Sequence, residues 1–90
     1  MENWQQLEEL FKGCRKALRV IRVLLQYKTP MTKYAIESQA LVYDTRSLLK
    51  RLEEIGVIHI IDGRPRRYMI NLEHPLVKSL EKMMLETGYL

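Results

Sequence analysis

Residues 45–70 decide the fold of this chain, and they read TRSLLKRLEEIGVI followed by HIIDGRPRRYMI. Apolar residues recur at helical spacing in the first part, which predicts an amphipathic helix from about residue 43 or 44 to Ile55. Gly56 suits the left-handed position that ends a helix. The residues expected to face the core are Thr45, Leu48, Leu49, Leu52 and Ile55.

The second part of this stretch predicts a β-hairpin. Residues 57–61 are mostly β-branched, the DGRP segment is typical of a turn, and residues 66–72 return as a second strand. Arg64, Arg66 and Arg67 lie at the tip of the hairpin. An amphipathic helix followed by a hairpin with a basic tip is typical of proteins that bind duplex DNA.

The segment before this stretch predicts a long helical region from roughly residue 3 to 27, because apolar residues recur there at helical spacing. Gly13 lies inside the region and is expected to split or bend it. Cys14 is expected to pack in the apolar stripe. The opposite face carries a basic stripe, which is either simply solvated or partly in contact with phosphate. The stripe consists of Lys12, Arg15, Lys16, Arg19 and Arg22.

Two further helices are predicted on either side of the hairpin and its helix. Pro30 ends the first helical region, and Thr32 is expected to cap a short helix at about residues 33–39. Pro75 suits the first turn of a final helix. The apolar stripe of that final helix consists of Leu76, Leu80, Met83 and Met84.

The apolar stripes of the first and last helices are longer than a small domain easily covers. We therefore expect a homodimer, the alternative being that the stripes complete the core of a monomer. The residues expected at the interface are Trp4, Leu7, Phe11, Leu76, Leu80, Met83 and Met84.

Composition and charge narrow the class of protein. Ninety residues predict one domain, and no apolar run is long enough to span a bilayer. The net charge of +4 divides into −3 over residues 1–11, +8 over residues 12–67 and −1 over residues 68–90. This concentration indicates a polyanionic partner, although a solvated basic surface has the same pattern. The single cysteine fits a reducing compartment, so a cytoplasmic location is expected.

Motifs for catalysis and for cofactor binding are missing from the sequence. One cysteine and two distant histidines, His59 and His74, do not match the ligand spacing of a zinc site. There is no glycine-rich phosphate loop and no nucleophile motif. We therefore expect neither enzyme activity nor a metal or cofactor.

The order of these elements resembles a winged helix-turn-helix regulator. The LLKRLEEIGVI run is similar to the end of the recognition helix in ArsR-like and MarR-like repressors, and the small size resembles such regulators from archaea and their viruses. The resemblance implies a mainly α fold with a β-hairpin wing, in a single domain over residues 1–90. Its core covers about residues 14–72, while residues 1–13 and 75–90 are helical extensions for dimerisation.

The resemblance also implies roles for particular residues. The recognition helix would contact the major groove through Tyr43, Arg46, Ser47 and Lys50. The wing would contact the backbone or minor groove through Arg64, Arg66 and Arg67. Apart from the resemblance, Thr32 and Lys33 lie at a helix start, where N–H groups and charge can hold a phosphate. Arg46 and Lys50 can donate either to guanine edges or to phosphates.

These expectations favour sequence-specific binding of double-stranded DNA by a homodimeric transcription regulator. One alternative is a protein-interaction module, since winged helices also serve as docking domains. Another is an architectural or RNA-binding protein without sequence preference. A regulator with a small-molecule effector is neither supported nor excluded by the sequence.

Overall fold

The computed structural model describes residues 3–90. It is mainly helical with a small antiparallel sheet, which agrees with the predicted mainly α fold that includes a β-hairpin. The elements are α1 (Asn3–Leu10), a 3₁₀ turn (Lys12–Cys14), α2 (Arg15–Tyr27), β1 (Met31–Thr32), α3 (Lys33–Ala40), α4 (Arg46–Ile55), β2 (Ile58–Ile61), β3 (Arg67–Ile70) and α5 (Pro75–Thr87).

The first helical region is divided at Gly13, which is one of the two outcomes predicted for it. The 3₁₀ turn separates α1 from α2, and the Cys14 N–H donates to the Phe11 carbonyl at 2.8 Å. The prediction that Cys14 packs in the apolar stripe is wrong, because its side chain is exposed. A 3₁₀ turn has three residues per turn, so it shifts Cys14 out of the 3.6-residue register of the stripe.

The predicted capping of α3 is confirmed. The Thr32 hydroxyl accepts a hydrogen bond from the Ala35 N–H at 3.1 Å. Helix α2 ends where Lys28 adopts a left-handed conformation and its N–H donates to the Leu24 carbonyl.

Helix α4 begins slightly later than predicted. Asp44 has a positive φ of 56°, and the buried Thr45 is bound to Glu37 through both its N–H and its hydroxyl. Gly56 ends the helix with a φ of 93°, as expected. The prediction that Ile55 faces the core is wrong, since it is 58% exposed. The chain reverses at Gly56, and Val57 is buried in the core instead.

The sheet contains one strand more than the predicted hairpin. Its order is β1-β3-β2, and both pairs are antiparallel. The hairpin pairs Ile58 with Ile70 and Ile61 with Arg67, while β1 joins its free edge by pairing Thr32 with Arg67. The start of α3 is therefore fixed beside the hairpin.

The core lies between α2, α3, α4, α5 and the inner face of the sheet. Helix α5 begins at Pro75 as predicted, and the His74 side chain accepts from the Leu76 N–H as its N-cap. The last buried side chain is Tyr89, beyond the end of α5. Other fully buried residues include Leu24, Ile36, Leu49, Ile58, Ile70, Val77 and Met84.

Candidate nucleic-acid interface

The start of α4 faces the hairpin across a groove, which we call the helix–hairpin groove. One depression in it, of about 320 Å³, is lined by residues that include Lys33, Tyr34, Arg46, Pro65, Arg66 and Tyr68. An adjacent depression of about 310 Å³ is lined by Arg46, Lys50, Glu53, Ile60, Arg66 and Tyr68. Two of the predicted recognition-helix residues, Arg46 and Lys50, therefore lie beside the hairpin residue Arg66.

The orientation of α4 is fixed by its buried face. Leu48, Leu49 and Leu52 are buried, while Arg46, Ser47 and Lys50 are exposed. The start of the helix is held by Glu37, whose carboxylate accepts from the Thr45 N–H at 2.9 Å and from its hydroxyl at 2.8 Å. These two hydrogen bonds lower the pKa of Glu37, because they stabilise the ionised carboxylate. The side of α4 with Arg46 and Lys50 thus has little freedom to rotate.

Tyr43 lies before α4 and not within it. Its side chain is 80% exposed, and the Lys16 ammonium lies 5.9 Å from the centre of its ring. The same ammonium donates to the Asp44 carbonyl at 3.2 Å. Tyr43 is therefore next to α2, at the edge of the surface formed by the exposed residues of α4.

The hairpin arginines are exposed, and strand geometry separates them. Arg66 and Tyr68 line the same depressions, whereas Arg67 lines neither of them. Arg67 is the first residue of β3, so strand alternation places it on the opposite face of the sheet from Tyr68. The Arg66 Nε lies 4.0 Å from the carboxylate of Asp62, and both side chains are exposed. Arg64 and Arg67 form no ion pair within the part of the chain that the structure describes.

Thr32 and Lys33 are both at the start of α3, as predicted, and both line the helix–hairpin groove. The Thr32 hydroxyl is already used to cap the helix. The Lys33 ammonium lies 3.7 Å from the Glu37 carboxylate and 4.6 Å from the centre of the Tyr34 ring. Of these two residues, Lys33 supplies the positive charge in the groove, while the Thr32 hydroxyl accepts from the Ala35 N–H and keeps its own O–H as a donor.

The groove also contains residues that the sequence did not single out, namely Tyr34, Pro65 and Tyr68. Because residues two apart in an extended segment lie on the same face, the prediction for Arg66 also extends to Tyr68. Tyr34 had no such signal, because its position depends on the pairing of β1 with β3.

The residues expected at a dimer interface divide into two groups. Leu7 and Met84 are buried within the single chain, and Leu80 and Met83 are partly buried. Trp4, Phe11 and Leu76 remain exposed, together with Leu10 and Leu85. Helices α1 and α5 contact each other, so their exposed apolar residues belong to neighbouring elements.

A second group of charges lies away from the groove, where α1, α2 and the chain end meet. Arg19 forms a bidentate ion pair with Glu8, at 3.0 and 3.1 Å, and the Tyr89 hydroxyl donates to the same carboxylate at 2.6 Å. The Arg22 guanidinium lies 4.6 Å from the centre of the Tyr89 ring. We call these four residues the α1–α2 junction. The Arg19 hydrogen bonds lower the pKa of Glu8, and burial raises the pKa of Tyr89.

Among residues 3–90, no three histidine, cysteine, aspartate or glutamate side chains come together in a group that could hold a metal ion. None of the helices described is both long and apolar enough to cross a membrane. Comparisons with models of known protein families, with curated proteins and with solved structures give no match. The geometry of this chain is therefore the basis for any functional interpretation.

Proposed function

We propose that this chain is a winged-helix protein that binds double-stranded DNA as a homodimer in the cytoplasm and regulates transcription. The main observation in support is the helix–hairpin groove, in which basic side chains of α3, α4 and the hairpin converge. Among the lining residues of its two depressions, Glu53 is the single carboxylate. A concave surface with an excess of positive charge is suited to the phosphates of a duplex.

In this proposal, α4 enters the major groove with Ser47 and Lys50 towards the base edges. Tyr43 contacts the backbone or a thymine methyl group at the margin. The hairpin is the wing, and Arg64 and Arg67 reach the neighbouring backbone or minor groove. The buried leucines of α4 support this arrangement, because they prevent another face of the helix from turning towards the DNA.

Binding to a mixed-sequence duplex at several salt concentrations tests the proposal. The double variant Arg66→Ala/Arg67→Ala should bind all duplexes more weakly. It should also have a smaller slope of log affinity against log salt, by about one unit for each phosphate that a protomer no longer neutralises. Fluorescence anisotropy between about 50 and 200 mM salt gives both quantities.

The matched control is Lys78→Ala/Lys82→Ala, which also removes two exposed charges but from α5. It should leave both affinity and slope nearly unchanged. Equal losses of affinity in the two variants would point to general attraction of a basic protein, and no binding by the wild type would remove the proposal itself. An RNA duplex in competition distinguishes a DNA-binding protein from one without preference.

The homodimer is proposed on the exposed apolar residues of α1 and α5. The two substitutions Leu10→Glu and Leu85→Glu alter exposed positions and so should leave the chain folded while weakening association. Sedimentation at micromolar concentration should give a dimer for the wild type and a shift towards monomer for this variant. A wild type that remains monomeric at high concentration would contradict the dimer.

A further inference from the structure

Arg46 and Arg66 come from distant parts of the sequence but line the same two depressions of the helix–hairpin groove. Lys33 approaches from the start of α3 and lines the larger depression with them. That depression has no carboxylate among its lining residues. Three cations on three separate elements thus surround one concave space of about 320 Å³.

The two arginines are only weakly compensated by neighbouring acids, whereas the Lys33 ammonium lies 3.7 Å from the Glu37 carboxylate. Arg46 forms no ion pair or side-chain hydrogen bond with any residue in the range 3–90. Arg66 is 4.0 Å from Asp62, which is itself 93% exposed and therefore well solvated. Placing like charges together without partners is unfavourable, and an anion bound between them relieves the repulsion.

The lining of the depression favours a phosphate group over the edge of a base. Arg46 of α4 and Arg66 of the hairpin are both among the lining residues, so donors from two separate elements are available to one ligand. A guanine edge lies at the floor of the major groove and is read by a side chain that projects away from the protein. Arg46 is the first residue of α4 and lies beside the hairpin, whereas Lys50 is one turn further along.

We propose that Arg46 and Arg66 bind the same backbone phosphate of the duplex, with Lys33 contributing charge from the third side. This inference rests on the proposed DNA binding, and of the two contacts open to Arg46, a guanine edge or a phosphate, it selects the phosphate. Arg46 and Arg66 together fix how deeply α4 enters the major groove. Ser47 and Lys50 are then the residues of α4 that determine sequence preference.

A double-mutant cycle combined with backbone modification tests the shared phosphate. The probe is the duplex that wild-type protein selects from a random library, together with copies in which a neutral methylphosphonate replaces one phosphate at a time. Arg46→Ala and Arg66→Ala should each weaken binding to the unmodified duplex roughly tenfold. On one methylphosphonate duplex both substitutions should become silent, changing affinity less than about twofold.

Three controls make the outcome specific. Arg64→Ala should keep its effect on that duplex, because its phosphate is a different one. Arg46→Lys should retain the preferred sequence and much of the affinity, since a lysine ammonium also binds a phosphate as a point charge. Circular dichroism should be unchanged in all variants, because the altered side chains are exposed.

Two results would overturn the inference. If Arg46→Ala and Arg66→Ala become silent at different phosphates, the two residues do not share a contact. If library selection with Arg46→Ala loses preference at one base position, Arg46 reads a base. Failure of the wild type to select or bind any duplex would instead be a failure of the proposed function, and is visible before any variant is made.

Discussion

Arginines at the α1–α2 junction and arginines in the helix–hairpin groove have opposite surroundings. Arg19 is held by both oxygens of Glu8, and Arg22 lies over the Tyr89 ring. In the groove, Arg46 has no such partner among residues 3–90, and Arg66 has one distant and exposed carboxylate. Among residues 3–90, the Arg19 donors therefore have a carboxylate partner, whereas the Arg46 donors have none.

This difference separates arginines that stabilise the fold from those available to a ligand. The junction contains residues of α1 and α2 and the residue Tyr89 beyond α5, so its hydrogen bonds connect α1 both to α2 and to Tyr89. Within the described part of the chain, the groove offers its guanidinium groups no comparable internal partner. Removal of a junction arginine should therefore reduce stability, and removal of a groove arginine should reduce binding.

The largest expected effect is the contrast between Arg19→Ala and Arg66→Ala. Arg19→Ala leaves the mostly buried Glu8 carboxylate without its cation, so it should lower the free energy of unfolding by about 1.5–3 kcal/mol. Arg66→Ala removes an exposed side chain and should change that free energy by less than about 0.5 kcal/mol. Urea denaturation measures both values.

Duplex binding by the same two variants should give the reverse order. Arg66→Ala should bind DNA more weakly, and Arg19→Ala should bind nearly as well as the wild type at a temperature where it is folded. Equal destabilisation by both substitutions would mean that the groove arginines also support the fold. A weaker complex for Arg19→Ala alone would place the DNA contact on α2.

The sequence predicted the helices well because their apolar residues recur at a regular spacing. The boundaries set by Thr32, Gly56 and Pro75 also follow from local chemistry, namely an N-cap, a left-handed glycine and a first-turn proline. Ile55 and Cys14 were misplaced for a local reason as well. Cys14 lies in the 3₁₀ turn and Ile55 is the last residue of α4, so the apolar period does not predict burial at these helix boundaries.

Contacts between distant segments were less accessible from the sequence. Arg19 and Glu8 are not at the spacing of neighbours on one helix, and they meet across the 3₁₀ turn that separates α1 from α2. From the sequence alone, Arg19 could therefore not be distinguished from the other residues of the basic stripe. Likewise, the net charge of the segment does not show that Arg66 lies beside Arg46, or that Arg67 lies outside the groove.

The smallest expected effect is a dependence of the junction on pH. The hydrogen bonds from Arg19, supported by the Tyr89 hydroxyl, lower the pKa of Glu8 below its ordinary value of 4.5, although burial partly opposes them. A carboxylate with a lowered pKa in the folded state stabilises the fold above its unfolded pKa. That contribution disappears as the pH falls through the folded pKa. The unfolded chain then takes up the proton first, which favours unfolding in acid.

Comparison of the wild type with Glu8→Gln isolates this contribution. The wild type should be more stable at neutral pH, and the difference in unfolding free energy should narrow as the pH falls from about 5 towards 3. Glu37 also has a lowered pKa, from its hydrogen bonds to Thr45, so Glu37→Gln is the matched variant at the start of α4. Urea denaturation across this pH range, with the double variant included, apportions acid sensitivity between the two carboxylates. A difference between wild type and Glu8→Gln that stays constant with pH would show that Glu8 acts through packing and not through its charge. The α1–α2 junction would then differ from the helix–hairpin groove only in how deeply its side chains are buried.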